Sequence, residues 1–376
     1  MKILHLTNDD IFFDNAYSQF EACYPNKNTV VVWSDRDVLE KITSTNKKVY
    51  LTSTINNLKN NLNPIEYDLI VFHSLSLKNA IFTNNIKFTS AQKLIWMVHG
   101  FEVYGLSKFN DKFVYSNKTK KRFGLKFSFA NTIKNVARPL VEKIKLTDNK
   151  QILKAIRRMD YIGILYVEEY KLITQKLNLY AKWLPFTYYP LEKITEGTKL
   201  NLNSNNILVG NSATLANNHI DVLDTLKSIG LFNNQKIFCP LSYGDENYAQ
   251  SIKSYGEQCF GNNFIALTDF MPLTEYNKIL SSCAIAIMNN YRQQAVGTIL
   301  SMVYFGTKIF LSNKNTLFHY LKRIGVHVYS IEDELKTKID LVPLTDEIKE
   351  KNRELIKNEI NSEYLAEQLK KNLNEL

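Results

Sequence analysis

Short apolar runs alternate with longer polar or amphipathic segments along most of the chain. In the first half these runs are Lys2–Leu6, Thr29–Trp33, Lys48–Leu51, Leu69–His73, Lys93–Val98 and Tyr161–Tyr166. Many of their residues are β-branched, and polar or helix-length segments separate them. This alternation predicts an α/β domain built on a parallel sheet.

The second half repeats the alternation. Its apolar runs are Asn206–Val209, Lys236–Cys239, Phe264–Leu267, Ala284–Met288, Lys308–Leu311 and Val326–Tyr329. The helix-like intervals are Leu215–Ile229, Asp245–Cys259 and Leu273–Ser282. The chain is therefore predicted to fold as two Rossmann-like domains in tandem.

The pattern breaks at Pro185–Pro190 and in the polar stretch up to Asn205, which indicates a linker. We expect a first domain over 1–190, a second over 200–343, and a charged helix over 344–376 that packs back across the first domain. A chain of 376 residues is also longer than one hydrophobic core usually supports.

The apolar runs and the cysteines limit the class of protein. No apolar run reaches the roughly 18 residues of a membrane span, and the start MKILHLTNDD does not resemble a secretory signal. Four widely spaced cysteines without a CxxC pattern argue against a zinc site or a disulfide framework. A cytoplasmic location is expected.

The net charge of +10 is concentrated in one segment. Between Lys112 and Val141 eight basic residues occur without an acidic one, and aromatic residues are interleaved. This pattern favours an anionic membrane surface, and a solvated helical hairpin is the alternative. Nucleic acid is disfavoured because no RNP, KH or zinc-finger pattern is present. The candidate membrane contacts are Lys120, Lys121, Arg122, Phe123 and Phe127.

The segment YRQQAVGTILSMVYFG at Tyr291–Gly306 predicts a polar loop that leads into a short helix. A helix N-terminus beside an arginine is suited to hold a diphosphate. Its candidate ligands are Arg292, Gln293, Gln294, Gly297 and Thr298. Ligands of open α/β sheets lie at the carboxyl ends of strands, so the other loops that follow strands are candidates as well. They contribute Gly210, Asn211, Ser212, Tyr243 and Asn315.

Several of these motifs resemble one enzyme family. ILVGNSATLANNHIDVL, CPLSYGDENY and the segment from Arg292 to Thr298 with TKIFLSNKN are similar, in order and spacing, to motifs of the TDP-N-acetylfucosamine:lipid II N-acetylfucosaminyltransferase family. That family is also called the 4-alpha-L-fucosyltransferase family, glycosyltransferase family 56. HLTNDDIFFDN, VFHS and WMVHGFEVY carry a thinner resemblance in the first half. Asn217 and His219 resemble family positions as well.

The resemblance implies the GT-B architecture, in which two Rossmann-like domains face a central cleft. It further implies an enzyme on the inner face of the bacterial plasma membrane, with no cofactor besides its nucleotide-sugar substrate. Family members move a 4-acetamido-4,6-dideoxy sugar from TDP to an undecaprenyl-diphosphate-linked acceptor in enterobacterial common antigen synthesis. His99, Glu102 and Ala213 depart from the tryptophan, aspartate and glycine usual in the family. Fold and reaction type therefore carry over better than sugar identity.

Transfer of a sugar requires stabilisation of the departing nucleotide diphosphate. We expect Arg292 to provide it together with N–H groups of the helix start, independently of a metal. Asp35-Arg36-Asp37 has the Asp-x-Asp spacing of metal-dependent glycosyltransferases. It follows a first-domain strand, away from the expected donor loops, so the metal-dependent alternative is disfavoured.

The acceptor hydroxyl must lose its proton during attack, so a base is expected in the first domain. Glu102 is the first candidate, and His73 and Asp10 are its rivals. Gly100 and Tyr104 complete the expected acceptor side. Inversion or retention at the anomeric carbon stays open.

Three other functions remain open. The same fold could use another nucleotide sugar with a capsule or lipopolysaccharide acceptor. A GT-B-like sugar-nucleotide epimerase would share the architecture without an acceptor, and a noncatalytic membrane-surface binder would share only the basic segment.

Overall fold

Two compact units make up the chain in the computed structural model. The structure describes residues 1–36, 38–43, 48–56, 58, 62–106, 108–109, 114–124, 148–196, 198 and 205–376. Unit 1 comprises Met1–Phe109, Phe129–Pro190 and Ser362–Leu376, and unit 2 comprises Asn110–Ser128 and Leu191–Asn361. Segment 110–128 therefore belongs to unit 2, although residues of unit 1 flank it in the chain. Segment 362–376 belongs to unit 1, although it follows unit 2 in the chain.

Unit 1 contains a seven-stranded parallel sheet in the order β3-β2-β1-β4-β5-β6-β7 within the described residues. Its strands are β1 (Ile3–Asn8), β2 (Asn28–Trp33), β3 (Lys48–Thr52), β4 (Leu69–His73), β5 (Lys93–Met97), β6 (Tyr161–Ile164) and β7 (Lys182–Pro185). The strands β1, β2 and β4 are almost wholly buried, as expected of a parallel sheet with both faces covered.

The helices of unit 1 cover the two faces of this sheet. They include α1 (Phe13–Cys23), α2 (Leu77–Asn85), α3 (Phe101–Tyr104) and α5 (Val167–Leu177), and residues 148–156 are also helical. The helix α4 (Asn117–Arg122) lies between α3 and α5 in the chain but belongs to unit 2. The helix α1 buries Phe13, Ala16, Tyr17, Phe20 and Cys23. This three-to-four residue spacing gives the apolar stripe that a helix packed on a sheet requires.

Unit 2 contains a six-stranded parallel sheet in the order β10-β9-β8-β11-β12-β13 within the described residues. Its strands are β8 (Asn206–Val209), β9 (Ile237–Pro240), β10 (Phe264–Leu267), β11 (Cys283–Met288), β12 (Lys308–Leu311) and β13 (Val328–Ser330). Its further helices are α6 (Leu191–Ile194), α7 (His219–Ile229), α8 (Glu246–Phe260), α9 (Leu273–Ser281), α10 (Val296–Phe305), α11 (Thr316–Arg323), α12 (Ile331–Glu334) and α13 (Asp346–Ile360).

The strand order of each sheet reverses at one point, between β1 and β4 in unit 1 and between β8 and β11 in unit 2. Open α/β sheets bind ligands in the crevice beside the carboxyl ends of the strands at such a reversal. Each unit is thus a Rossmann-like domain with its own crevice, and the predicted α/β class is confirmed.

Two elements differ from the predicted pattern. The strand β7 was not predicted, because Lys182 and Pro185 limit its apolar run to Trp183 and Leu184. The segment expected as one C-terminal helix forms two, since Asn361 is extended between α13 and α14 (Ser362–Asn374). The helix α13 packs on α10 in unit 2, and α14 packs on α1 in unit 1.

No helix among the described residues combines the length and the apolar character that crossing a bilayer requires.

Candidate active site

The crevice of unit 2 is lined by the loops that follow β8 and β11. Gly210, Asn211 and Ser212 come directly after β8, and Asn289 and Asn290 come directly after β11. The two strands are neighbours in the sheet, so the loops meet at the reversal of strand order.

A buried amide, Asn217, organises the loop that follows β8. Its Oδ1 accepts from the backbone N–H of Asn211 at 3.1 Å, and its Nδ2 donates to the carbonyl of Ser212 and to Oγ1 of Thr214, both at 2.9 Å. Asn290 Nδ2 also donates to Asn217 Oδ1 at 3.3 Å. One side chain therefore fixes both loops of the crevice.

A second amide, Gln294, ties the predicted donor loop to the same network. Its Nε2 lies 3.0 Å from Asn211 Oδ1, 3.3 Å from Ser212 Oγ and 3.2 Å from Thr214 Oγ1. Asn211 in turn donates through Nδ2 to the hydroxyl of Tyr243 at 2.9 Å. The structure thus brings together predicted residues from three loops.

The loop that follows β9 is joined to the loop that follows β8 by backbone hydrogen bonds. Ala213 N donates to the carbonyl of Tyr243 at 2.8 Å, and Asp245 N donates to the carbonyl of Ala213 at 2.9 Å. Gly244 lies between them at φ +124°, and a Cβ there would approach the Ala213 carbonyl oxygen to 2.3 Å. A glycine is therefore needed at this position. The preceding residue, Tyr243, is 58% exposed.

Asn315 supports the Arg292 loop from the end of β12. Its Nδ2 donates to the carbonyls of Asn290 and Arg292, both at 2.9 Å, and its Oδ1 caps α11 by accepting from Leu317 N at 3.0 Å. Asn315 is fully buried. Its position indicates that it shapes the loop.

The helix α10 begins at Val296 without a side-chain cap. Ala295 precedes it in the left-handed region at φ 56°. Gly297 and Thr298 lie in this turn, whose first N–H groups have no acceptor within the helix. Arg292 NH1 donates to the carbonyl of Gln293 at 3.2 Å, which holds the guanidinium at the same loop.

His219 lies beneath Gly210 and is fully buried. Its Nδ1 lies 2.9 Å from the hydroxyl of Tyr248, and burial lowers the pKa of His219 to about 3, so the ring is neutral. A Cβ on Gly210 would lie 2.3 Å from His219 Nε2. This histidine therefore determines how closely the loop approaches α7.

The crevice of unit 1 contains Asp10, which follows β1, and His99, which follows β5. Asp10 Oδ1 accepts from Phe12 N at 2.8 Å, and Asp10 Oδ2 lies 3.8 Å from His99 Nδ1. The side chains are 29% and 11% exposed. Asp10 thus keeps a carboxylate oxygen at the surface of the crevice.

Glu102 is held more deeply, in the short helix α3. Its Oε1 accepts from Trp96 Nε1 at 2.9 Å and from His99 N at 3.1 Å. Its Oε2 is buried and has no hydrogen-bond partner among the described residues. The helix begins after Gly100, whose φ of +94° places Glu102 under the His99 loop.

His73 belongs to a buried chain of polar side chains. Its Nε2 lies 3.0 Å from His5 Nδ1, and its Nδ1 lies 3.4 Å from the hydroxyl of Tyr188. His5 Nε2 lies 3.0 Å from Asn28 Oδ1, and Asn28 Nδ2 donates to Glu21 at 2.7 Å. Because Asn28 donates to Glu21 through Nδ2, its Oδ1 accepts from His5 Nε2. His5 Nδ1 then accepts from His73 Nε2, and His73 Nδ1 accepts from the hydroxyl of Tyr188. Each imidazole thus donates once and accepts once, as a neutral ring does.

The pKa values agree with that direction. Burial, and then His5 and His99, hold the pKa of His73 well below its usual value. Burial, and then Glu102 and Asp10, raise the pKa of Tyr188 well above its usual value. The sequence did not single out His5 or Tyr188, and Tyr188 follows β7, the strand that the apolar pattern missed.

Tyr104 is directed at another buried group. Its hydroxyl donates to Glu169 Oε1 at 2.5 Å, and Glu169 is fully buried. The structure therefore ties Tyr104, at the end of α3, to Glu169 of α5.

The basic segment has partners within unit 2. Lys118 pairs with Asp224 at 2.7 Å, the Arg122 guanidinium lies 4.4 Å from the ring centre of Tyr255, and Phe123 packs on Tyr248. Lys120 is half-buried and Lys121 is exposed. Phe127 lies outside the described residues, as does Asp37 of the Asp-x-Asp motif.

A family model for the 4-alpha-L-fucosyltransferases, glycosyl transferase group 56, matches residues 166–362. The chain belongs to this family. The match spans unit 2 almost completely and includes all the donor-loop residues described above. The enzyme is thus a fucosyltransferase-type glycosyltransferase, as the sequence motifs indicated.

Solved structures show the same fold across the whole chain. The N-terminal domain of trehalose-6-phosphate phosphatase from Candida albicans has a TM-score of 0.65 at 12% identity and covers 100% of this chain and 96% of its own. Sucrose-phosphate synthase from Thermosynechococcus elongatus has a TM-score of 0.63 at 10% identity, and the match covers 100% of this chain and 99% of the synthase chain.

Anabaena HepE, solved with UDP and glucose, has a TM-score of 0.62 at 12% identity and covers 100% of both chains. At these identities the comparison concerns the fold alone. The predicted GT-B type is confirmed.

Proposed function

We propose that this glycosyltransferase moves a 4-acetamido-4,6-dideoxy sugar from a TDP-sugar to a lipid-diphosphate-linked acceptor in bacterial surface polysaccharide synthesis. Membership of the family and the motif resemblance support the substrate class. The amide network around Asn217 and Gln294 carries the proposal, because it joins the loops after β8, β9 and β11, which are three of the four expected to hold the donor.

The donor diphosphate lies at the start of α10 in this proposal. Backbone N–H groups near Gly297 and the guanidinium of Arg292 stabilise the negative charge that develops on the leaving group. Asn211 and Ser212 approach from the β8 loop, and exposed Tyr243 offers its ring to the base. Asn217, His219 and Asn315 are positioning residues, since their side chains are buried among the loops.

Asp10 is the base in this proposal, and Glu102 positions the His99 loop. The acceptor hydroxyl needs a carboxylate that it can reach, and Asp10 is 29% exposed, whereas Glu102 is 3% exposed. His73 is fully enclosed and donates within its own chain of hydrogen bonds. His99 lies beside Asp10, with its Nδ1 3.8 Å from the carboxylate.

The membrane contact rests on Lys120 and Lys121. Arg122 and Phe123 are engaged with Tyr255 and Tyr248, so among the described candidate contacts the two lysines remain for anionic headgroups. The single variants Lys120→Gln and Lys121→Gln should each weaken binding to phosphatidylglycerol vesicles, while Lys118→Gln, which removes the partner of Asp224, serves as a charge-matched control. Equal vesicle binding by all three proteins would contradict the contact.

A panel of nucleotides tests the donor assignment. The thermal stability of the protein is measured with TDP, UDP, GDP and ADP, each with and without magnesium. We expect TDP to raise the melting temperature most, because binding to the native state alone stabilises it, and we expect no requirement for magnesium. A larger shift with another nucleotide would exclude the proposed donor, and incubation with donor alone would show epimerisation if no acceptor were needed.

A further inference from the structure

Unit 1 has a cavity of about 470 Å³ at the edge of its sheet where β5, β6 and β7 begin. This is the edge opposite the carboxyl ends of the strands and the crevice that contains Asp10. The polar side chains that line the cavity are Lys93, Arg157, Asp160, Tyr161, Tyr180 and Lys182. Its volume is within the range of small-molecule sites, roughly 300–1,000 Å³.

The sheet places two of the cations on one face. Tyr161 pairs in register with Ile95 on one side and with Lys182 on the other. Lys93 precedes Ile95 by two residues, so its side chain leaves the sheet on the same face. The Lys182 ammonium lies 5.9 Å from the ring centre of Tyr161.

Arg157 adds a third cation from the turn that follows the helix over 148–156. Within the part of the chain that the structure describes, none of these three cations lies within ion-pairing distance of a carboxylate. Elsewhere in the unit, Lys78 pairs with Asp35 at 3.5 Å. Three unneutralised cations around one cavity create a local potential that attracts an anion.

Asp160 adds an acceptor to this basic cavity. Its Oδ2 accepts from Leu94 N at 2.8 Å, which fixes the carboxylate at the wall. A carboxylate repels a bare phosphate but accepts hydrogen bonds from hydroxyl groups. The ligand that suits both features bears a phosphate and free hydroxyls.

We propose that this cavity binds the phosphate ester of a small polyol, with Lys93, Arg157 and Lys182 on the phosphate and Asp160 on the hydroxyls. Arginine and lysine are the usual phosphate ligands of proteins. Such an ester occurs as the headgroup of phosphatidylglycerol and as a free sugar or glycerol phosphate. The site is separate from the transfer reaction, because none of its residues lies in either crevice.

Calorimetric titration with glycerol 3-phosphate and with inorganic phosphate tests the site. We expect the wild-type protein to prefer glycerol 3-phosphate, and we expect the double variant Arg157→Gln/Lys182→Gln to bind it at least about tenfold more weakly, since it loses two charge-assisted hydrogen bonds to the phosphate. The matched control is Lys154→Gln/Lys171→Gln, which removes two exposed charges of unit 1 outside the cavity. Equal affinity of the two double variants, or no binding by the wild type, would overturn the proposal.

Asp160→Asn tests the second half of the ligand. Asparagine can still accept from Leu94 N, but it removes the negative charge. Inorganic phosphate should then bind more tightly and the preference for glycerol 3-phosphate should fall. An unchanged preference would show that the carboxylate does not contact the ligand.

Vesicles of phosphatidylcholine with and without phosphatidylglycerol distinguish the source of the ester. Binding that requires phosphatidylglycerol and is lost in Arg157→Gln/Lys182→Gln identifies a lipid headgroup. Tight binding of the soluble ester with vesicle binding unaffected by that variant identifies a free metabolite. Arg157→Gln/Lys182→Gln should leave the thermal shift with TDP unchanged, so the site and the donor site are tested independently.

Discussion

Replacement of Gly210 by alanine should destabilise unit 2 through two separable effects. Gly210 has φ +68°, a region in which a side chain costs about 1–2 kcal/mol. The added Cβ would also lie 2.3 Å from His219 Nε2 and 3.1 Å from Asn217 Oδ1. Displacement of buried side chains costs about 1–3 kcal/mol more, so we expect a total loss of about 2–5 kcal/mol.

Gly124→Ala is the matched control for the backbone effect. Gly124 also belongs to unit 2 and has φ +63°, but an added Cβ would meet no atom of the described residues within 4 Å. Its cost should therefore be about 1–2 kcal/mol. The difference between the two variants measures the contact with His219 and Asn217.

Urea unfolding followed by two signals provides the assay. The three tryptophans, Trp33, Trp96 and Trp183, all lie in unit 1, whereas circular dichroism reports helices of both units. Gly210→Ala should shift the circular dichroism transition while the tryptophan transition moves less. Equal destabilisation by Gly210→Ala and Gly124→Ala would refute the packing that we assign to His219.

Four further predictions concern chemistry and pH. Arg292→Ala should lower turnover by at least about a hundredfold with the melting temperature unchanged, because it removes a key electrostatic donor; near-normal turnover would refute its role. Asp10→Asn should lower turnover by about a hundredfold or more while nucleotide affinity measured by calorimetry stays the same, and full activity would place the base elsewhere. Gly297→Ala should preserve stability, since its Cβ would lie 3.6 Å from Ile194, yet weaken nucleotide binding; unchanged affinity would argue against a diphosphate at α10. Because the pKa of His219 falls from 6.5 to about 3 on folding, the unfolded state takes up the proton first, so the free energy of unfolding should fall as pH drops from about 6.5 toward 3. His219→Gln should flatten this dependence in the circular dichroism transition, and an equal slope would contradict a neutral buried imidazole.

The alternation of apolar and polar residues was enough to predict both sheets, because each buried strand of a parallel sheet leaves a continuous apolar run. It also placed the loops after β8 and β11, since the carboxyl ends of parallel strands meet at one edge. It could not reveal the edge strand β7, whose apolar run consists of Trp183 and Leu184 alone.

The side-chain geometry of the site lay beyond the sequence for another reason. Asn217 contacts Asn290 across 73 positions of the chain, and His5 contacts His73 across 68. Local periodicity carries no information on such pairs. For the same reason the burial of Glu102 could not be predicted from WMVHGFEVY. Only the folded structure shows that Trp96, six residues earlier, donates a hydrogen bond to Glu102.

The two crevices differ in charge in the way that glycosyl transfer requires. The loops after β8 and β11, over 210–214 and 289–298, contain amides, hydroxyls and Arg292 but no acidic residue. A carboxylate there would oppose the charge that builds up on a departing diphosphate. The loop after β1 instead carries Asp9 and Asp10, and Asp9 is occupied by the backbone N–H groups of residues 40–42. Asp10 therefore remains for proton removal, and this division of charge explains why we assign the nucleotide to unit 2 and the acceptor hydroxyl to unit 1.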